Sequence, residues 1–163
     1  VIMLLAGVLY AAVQAARHHR HSAAVLPTPD NSDTDTSPDT EAGTDADEQE
    51  LMARIEQVME QRQLYLNSDL KLNDLAEALS MNRNVTSGCI NRVRGCSFNQ
   101  FVNGYRIRHA MRLMTERPDM SVTQVWIDSG YNNEISFFRN FRAITGTTPT
   151  EWKRLNSPTK DDL

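Results

Sequence analysis

The chain has 163 residues, 40% of them hydrophobic and 23% charged, which suits one compact domain with additional segments. Its net charge of −4 hides an uneven distribution, because residues 1–50 carry −7 whereas residues 83–154 carry +6. The acidic residues therefore belong to the N-terminal region, and the C-terminal half is basic enough to face phosphate groups. The two cysteines, Cys89 and Cys96, have no companion ligands for a zinc site. We therefore expect Cys89 to be a small core residue and Cys96 to be a thiol in a loop.

Residues 1–16 are apolar except for Gln14 and predict the C-terminal part of a transmembrane helix. As a helix they would extend about 24 Å, slightly less than the ~30 Å hydrocarbon core of a bilayer. Arg17 and Arg20 follow at once, and basic residues just after a span favour the cytoplasmic side, whereas a signal peptide carries its charge before the apolar run. We therefore expect the chain to be anchored in the inner (cytoplasmic) membrane, with the remainder in the cytoplasm.

Residues 17–48 are predicted to be a basic juxtamembrane patch followed by a disordered acidic linker. The patch includes His18, His19 and His21; contact with lipid headgroups is favoured over metal binding because no carboxylate or cysteine lies nearby. Residues 22–48 are rich in Pro, Ser, Thr, Asp and Gly and lack apolar periodicity. The linker is interpreted as a solubilising spacer; competition with DNA for a basic surface is the alternative.

A helical domain is predicted over residues 49–157. Apolar residues recur at helical spacing to about Tyr65, and a short helix follows over residues 72–79. Ser80 and Met81 turn the chain, Asn82 caps a helix that ends near Val93, and Gly95 stops it.

The second half of this domain contains further helix-start signals. Ser97 with Gln100 forms a capping box for a long helix to about residue 116, and Ser121 with Gln124 forms another. Gly130 lies where a chain reversal requires positive φ. Thr148-Pro149 with Glu151 starts a last short helix, and residues 158–163 form a disordered tail. Asn133 or Asn132 is predicted to cap the helix that follows Gly130. The residues predicted to face inward are, in the helix before Gly130, Val122, Val125, Trp126 and Ser129, and, in the helix after it, Ile135, Phe137, Phe138, Phe141 and Ile144.

The predicted fold class is all-α: two helix-turn-helix subdomains, at about 72–93 and 121–144, joined by a long helix at about 97–116. The linker and the partial transmembrane helix precede them. A helix, a turn and a second helix bearing arginines is the layout of a DNA-binding helix-turn-helix, and its recurrence strengthens the interpretation.

These segments resemble the DNA-binding domain of the AraC/XylS family over about Leu51 to Arg154. The most specific part is SVTQVWIDSGYNNEISFFRNFRAITGTTPTEWKR, where Gly130-Tyr131, Phe141 and Thr148-Pro149 stand in the family's order; Arg106 and Ala110 in the joining helix also match. The resemblance implies a sequence-specific regulator of transcription whose two recognition helices read adjacent major grooves. It also implies double-stranded DNA and RNA polymerase as partners, and a homodimer formed through sequence preceding Val1.

Residue roles follow from the same resemblance. Arginine and asparagine suit guanine and adenine edges, and other arginines and lysines suit phosphates. The expected base-reading residues are Arg83, Asn84, Ser87 and Asn91 in the first unit and Asn133, Glu134, Ser136 and Arg139 in the second; Gly88 and Ile135 are exposed beside them. The expected phosphate contacts are Arg92, Arg94, Arg142, Lys153 and Arg154. Tyr131, Phe137, Phe138 and Phe141 are expected in the core.

Three departures from the family pattern stand out. Gly88 replaces a long polar side chain, Trp126 stands where two helices cross closely, and Ser80 replaces the turn glycine of the first unit. They support an alternative, a protein-interaction module on a membrane sensor that has lost specific DNA binding. An enzyme is not expected, because no nucleophile–base pair, metal cluster or phosphate-binding glycine loop is present, and His109 is interpreted as a surface or groove residue; no cofactor, metal or catalytic residue is predicted.

Overall fold

The computed structural model describes residues 45–156, and these residues form helices and no strand, which confirms the all-α prediction. The predicted transmembrane segment, the basic patch, most of the acidic linker and the C-terminal tail lie outside the described residues. Within the described part, none of the helices combines the length and the apolar character that crossing a bilayer requires. The helices are α1 (Asp45–Gln61), α2 (Leu72–Ala78), α3 (Arg83–Arg94), α4 (Phe98–Glu116), α5 (Val122–Asp128), α6 (Glu134–Thr145) and α7 (Pro149–Asn156), with a 3₁₀ turn at Leu64–Leu66.

Two hydrophobic cores share helix α4. Its N-terminal half contributes Phe101 and Tyr105 to the first core, and its C-terminal half contributes Ile107 and Met114 to the second. One helix thus belongs to both helix-turn-helix units, which explains why it is long and apolar on more than one face. The first core also contains Met52, Ile55, Met59, Leu75 and Ile90, and the second contains Val125, Tyr131, Phe137 and Phe141.

Capping side chains begin the helices where the sequence predicts them. Asn82 Oδ1 accepts a hydrogen bond from the Asn84 amide at 2.7 Å, and Asn133 Oδ1 accepts one from the Ser136 amide at 3.0 Å. Ser97 and Gln100 bond reciprocally, as a capping box requires. These side chains satisfy amides that would otherwise lack partners at each helix start, so the starts of α3, α4 and α6 are encoded locally.

The predicted capping box at Ser121 is only half formed. The Ser121 hydroxyl accepts a hydrogen bond from the Gln124 amide at 3.1 Å, but the Gln124 side chain donates to Asp128 at 2.7 Å instead of returning to Ser121. Asp128 lies one turn further along the same face and offers a carboxylate, which is a stronger acceptor.

Helix α1 begins earlier than predicted. Residues 45–48 were expected to belong to the disordered linker, yet they form the first turn of α1. Asp45, Asp47 and Glu48 place negative charge at the positive end of the helix dipole, which favours helix formation there. Cys89 also donates from its thiol to the Glu48 carbonyl at 3.4 Å, so this turn is held against α3 by tertiary contacts.

The predicted inward set of α6 needs correction at Ile135, and Val122, Trp126, Phe138 and Ile144 are half-buried at the edge of the second core. Ile135 is 76% exposed, and Phe138 is only half-buried although it was expected in the core. Trp126 packs at the edge of the second core, and its indole nitrogen is buried without a hydrogen-bond partner among the described residues. The other aromatic predictions are confirmed, since Tyr131, Phe137 and Phe141 are all buried, as is Cys89.

Ser80, in the turn between α2 and α3, has a φ of 54° and is exposed. A left-handed conformation is unfavourable for a residue with a Cβ atom, so we expect Ser80→Gly to raise the free energy of unfolding by about 0.5–1 kcal/mol. Urea denaturation followed by circular dichroism measures the change. Ser80→Ala is the control and should have no effect; an equal gain from both substitutions would show that backbone strain is not the cause.

Candidate nucleic-acid interface

Helix α6 presents a polar and basic surface. Glu134, Arg139 and Arg142 are exposed, and Ser136 is partly so. Asn133 is exposed too, although its amide oxygen already caps the helix, which leaves only its NH2 group to donate outward. The predicted base-reading residues of the second unit thus share the start and the outer face of one helix.

Helix α3 carries the predicted base-reading residues of the first unit. Arg83 and Asn84 are exposed in its first turn, Asn91 is exposed two turns later, and Ser87 between them is partly buried. The first turn of a recognition helix is the part that contacts base edges. The first unit therefore presents Arg83 and Asn84 in the turn of α3 that would contact base edges.

Two cations predicted to contact phosphates pair with α1 instead. Arg92 Nε lies 2.6 Å from Glu48 Oε1, and the Arg94 guanidinium forms an ion pair with Glu56. The partners are 44 and 38 residues apart in the chain, so no local sequence pattern predicts these ion pairs. Glu48 and Glu56 are the functional candidates that sequence reasoning missed.

Gly88 makes room for the first of these pairs. A Cβ atom at this position would stand 2.8 Å from Nη1 of Arg92, so the guanidinium lies against the space that a side chain would fill. The departure at Gly88 thus allows Arg92 to lie along the helix toward Glu48.

The remaining predicted phosphate contacts differ in availability. Lys153 is half-buried, and its ammonium group donates to the Met120 carbonyl, so it ties α7 to the loop before α5. Arg154 and Arg142 are exposed. Of the five predicted phosphate contacts, the two that are exposed and not engaged by these intramolecular partners, Arg142 and Arg154, therefore belong to the second unit.

Arg106 joins the two units from the middle of α4. Its Nε donates to the Tyr65 carbonyl and its Nη2 donates to the Asn67 carbonyl, both at 2.7 Å. The same guanidinium lies 5.4 Å from the centre of the Tyr131 ring, which belongs to the second core. One side chain thus binds the backbone after α1 and a buried aromatic ring of the second unit.

Gly130 completes this junction. It has a φ of 79°, as its predicted role in the chain reversal requires, and a Cβ atom there would stand 2.5 Å from the Tyr65 oxygen and 2.7 Å from the Leu66 oxygen. Tyr131 follows it, and burial raises the pKa of its phenol to about 12. The turn of the second unit therefore packs directly on the backbone of the first.

His109 lies beside the junction that Arg106 and Gly130 form. Arg112 Nη2 donates to its Nδ1 at 2.8 Å, and its ring packs against Tyr65 with the centroids 5.8 Å apart. Burial and the nearby Arg112 cation lower the pKa of His109. Across residues 45–156 no group of three His, Cys, Asp or Glu side chains is placed to hold a metal ion.

We expect Glu48→Gln and Glu56→Gln to strengthen binding to double-stranded DNA, up to about fivefold each, and to steepen its salt dependence. Each substitution leaves an arginine without its carboxylate and free to contact a phosphate. Fluorescence anisotropy across a salt series measures both quantities. Glu50→Gln, at an exposed position of the same helix, is the control for net charge, and an equal gain from it would contradict a role for the ion pairs.

Two helix-turn-helix units on one shared helix, each with an exposed recognition helix, define a helix-turn-helix DNA-binding domain. A helix-turn-helix domain family matches residues 75–155. An uncharacterised helix-turn-helix-type transcriptional regulator of Staphylococcus aureus is 29% identical over 100 residues, covering 61% of this chain and 13% of that protein. The melibiose operon regulatory protein of Escherichia coli K12 is 26% identical over 87 residues, covering 53% of this chain and 28% of that protein.

Solved structures of other proteins share this fold. A transcriptional regulator with an AraC-type DNA-binding domain from Chromobacterium violaceum superposes with a TM-score of 0.58 at 17% identity, over 69% of this chain and 96% of that one. The chain belongs to the AraC-type helix-turn-helix family and carries its DNA-binding regulator domain. It spans about an eighth and about a quarter of the lengths of the two sequence relatives.

Proposed function

We propose that this domain binds double-stranded DNA sequence-specifically and regulates transcription, with α3 and α6 in two adjacent major grooves. The observation that carries the proposal is the shared helix α4, which places both recognition helices on one body. Successive major grooves on one face of DNA lie about 34 Å apart, a spacing that two rigidly joined helices suit. Arg106 and Gly130 supply the rigidity. Arg106 donates to the Tyr65 and Asn67 carbonyls, and the turn at Gly130 packs on the backbone of Tyr65 and Leu66.

The roles of the exposed side chains are proposed as follows. Arg83, Asn84 and Arg139 read base edges, assisted by Ser87, Asn91, Asn133, Glu134 and Ser136. Arg142 and Arg154 contact phosphates, and Arg92, Arg94 and Lys153 join them only where their intramolecular partners release them. The second unit is proposed as the stronger reader, since Arg92 and Arg94 at the end of α3 are paired with carboxylates. Arg139 and Arg142 on α6 are exposed.

We further propose that the chain works at the inner membrane, with this domain in the cytoplasm. The support is the apolar run at residues 1–16 followed by Arg17 and Arg20. RNA polymerase is the proposed partner in regulation, and a homodimer is proposed through sequence preceding Val1. A fusion of the full chain to a cytoplasmic and a periplasmic reporter would test the orientation.

The alternative is a protein-interaction module that has lost specific DNA binding. The exposed Ile135 on α6 and the paired arginines on α3 are the observations in its favour. Selection from random double-stranded DNA at low salt separates the two functions. An enriched sequence supports the regulator; failure to enrich any sequence would overturn it.

Arg139→Ala tests base reading within the selected site. We expect a loss of about 1–3 kcal/mol in specific binding, because a guanine edge loses its bidentate partner, and little change in binding to random DNA. Arg112→Ala, an exposed arginine outside both recognition helices, is the matched control. If Arg139→Ala weakened binding to both kinds of DNA equally, Arg139 would be a phosphate contact.

A further inference from the structure

Ile135 is the most exposed large apolar side chain among the described residues, at 76%, ahead of Leu155 at 60% and Ile127 at 47%. It is the second residue of α6, in the first turn of the recognition helix, and the second core lies on the other side of that helix. A side chain so placed gains nothing from folding. Contact with a ligand would remove the apolar surface of Ile135 from water, which is energetically favourable.

The surroundings of Ile135 indicate which ligand this is. Ile135 and Phe138 line an open depression of about 460 Å³ together with Glu134, Arg139, Arg142 and Thr148. Arg139 lies one helical turn after Ile135, and Arg142 lies almost one further turn along. Two exposed arginines beside an apolar patch favour a polyanion over an apolar protein surface, and DNA is the polyanion that this fold binds.

The major groove offers one apolar feature to a recognition helix, the C5-methyl group of thymine. We propose that Ile135, with Phe138 beside it, contacts a thymine methyl group and so makes thymine a required base in the site. The inference rests on the proposed function, because α6 must enter the major groove. Arg139, about 6 Å further along the helix, places its guanine within about two base pairs of that thymine.

Replacing thymine with deoxyuridine tests the contact, because deoxyuridine lacks only the methyl group. The full chain is first used to select its site from random double-stranded DNA, and each thymine of that site is then replaced singly. One position, within about two base pairs of the guanine lost in Arg139→Ala, should weaken binding about four- to tenfold. The other thymines should tolerate replacement.

The Ile135→Ala variant removes the protein side of the same contact, which completes a double-mutant cycle with the deoxyuridine replacement. It should weaken binding to the thymine site about four- to tenfold and leave binding to the deoxyuridine site unchanged relative to the unmodified chain, since each change removes the same contact. Ile127→Ala, an exposed isoleucine on α5, is the matched control and should change neither affinity. Thermal melting of both variants verifies that the fold is intact.

Each other outcome overturns the inference in a recognisable way. If a site is selected but no thymine responds to replacement, or if Ile135→Ala weakens both sites equally, DNA binding stands and the thymine contact does not. If Ile135→Ala leaves both affinities unchanged, its surface serves another partner. If no sequence is selected at all, the proposed function fails together with the inference.

Discussion

Gly130→Ala is expected to lower the free energy of unfolding by about 3 kcal/mol or more. The alanine would have to adopt a φ of 79°, and its Cβ atom would stand 2.5 Å from the Tyr65 carbonyl oxygen. The left-handed conformation alone costs about 1–2 kcal/mol, and overpacking against backbone atoms costs about 1–3 kcal/mol more. Urea denaturation of the full chain, followed by far-UV circular dichroism, measures the loss.

Gly104→Ala is the matched control for this substitution. Gly104 lies inside α4, and a Cβ atom there would meet nothing within 4 Å, so alanine should stabilise the helix by about 0.5–1 kcal/mol. Opposite signs for two glycine-to-alanine changes would separate the contact at the junction from helix propensity. A neutral Gly130→Ala would contradict the close approach of the second turn to Tyr65 and Leu66.

Arg106→Met is expected to destabilise the domain by about 3 kcal/mol. Methionine keeps much of the apolar stem but leaves the Tyr65 and Asn67 carbonyls without their charged donor, and each such bond contributes about 1.5–3 kcal/mol. Arg112→Met is the control, because Arg112 is exposed and its bond to His109 is the only contact at stake among those of the described residues. A loss of similar size from Arg112→Met would show that removal of positive charge from α4 is the cause.

The same variant should also affect DNA binding, if both units read DNA. Without Arg106 the units lose part of their fixed orientation, so binding to a site spanning two grooves should weaken about tenfold at a temperature where the variant is folded. Binding to a half-site read by α6 alone should change little. Equal weakening on both sites would mean that the substitution damages α6 itself.

The local features of this domain could be predicted from the sequence because their causes lie within a few residues. Asn82, Asn133 and the Ser97–Gln100 box start helices by bonding to amides two or three positions away. Ser80 and Gly130 mark turns because positive φ is a property of single residues, and both turns have it. The half-formed box at Ser121 shows the limit, since a competing carboxylate at Asp128 redirected Gln124.

The availability of the site residues could not be predicted in this way. Arg92, Arg94 and Lys153 have the composition of phosphate contacts, but their partners Glu48, Glu56 and Met120 lie 44, 38 and 33 residues away in the chain. Periodicity also grouped Ile135 with the core residues of α6. In the first turn of a helix, an apolar residue fits the helical pattern whether or not its side chain faces the core. The family resemblance, unlike periodicity, predicted an exposed Ile135, and its 76% exposure confirms that prediction.

The sequence by itself determined the all-helical class, the helix starts after α1, the two turns and the family, since these depend on local bonding and on residue order. Tertiary structure alone decided which of the predicted phosphate contacts remain free for DNA and how Gly130 and Arg106 hold the two units together. Those features depend on contacts between residues distant in the chain, and such contacts exist only after both cores have formed around α4.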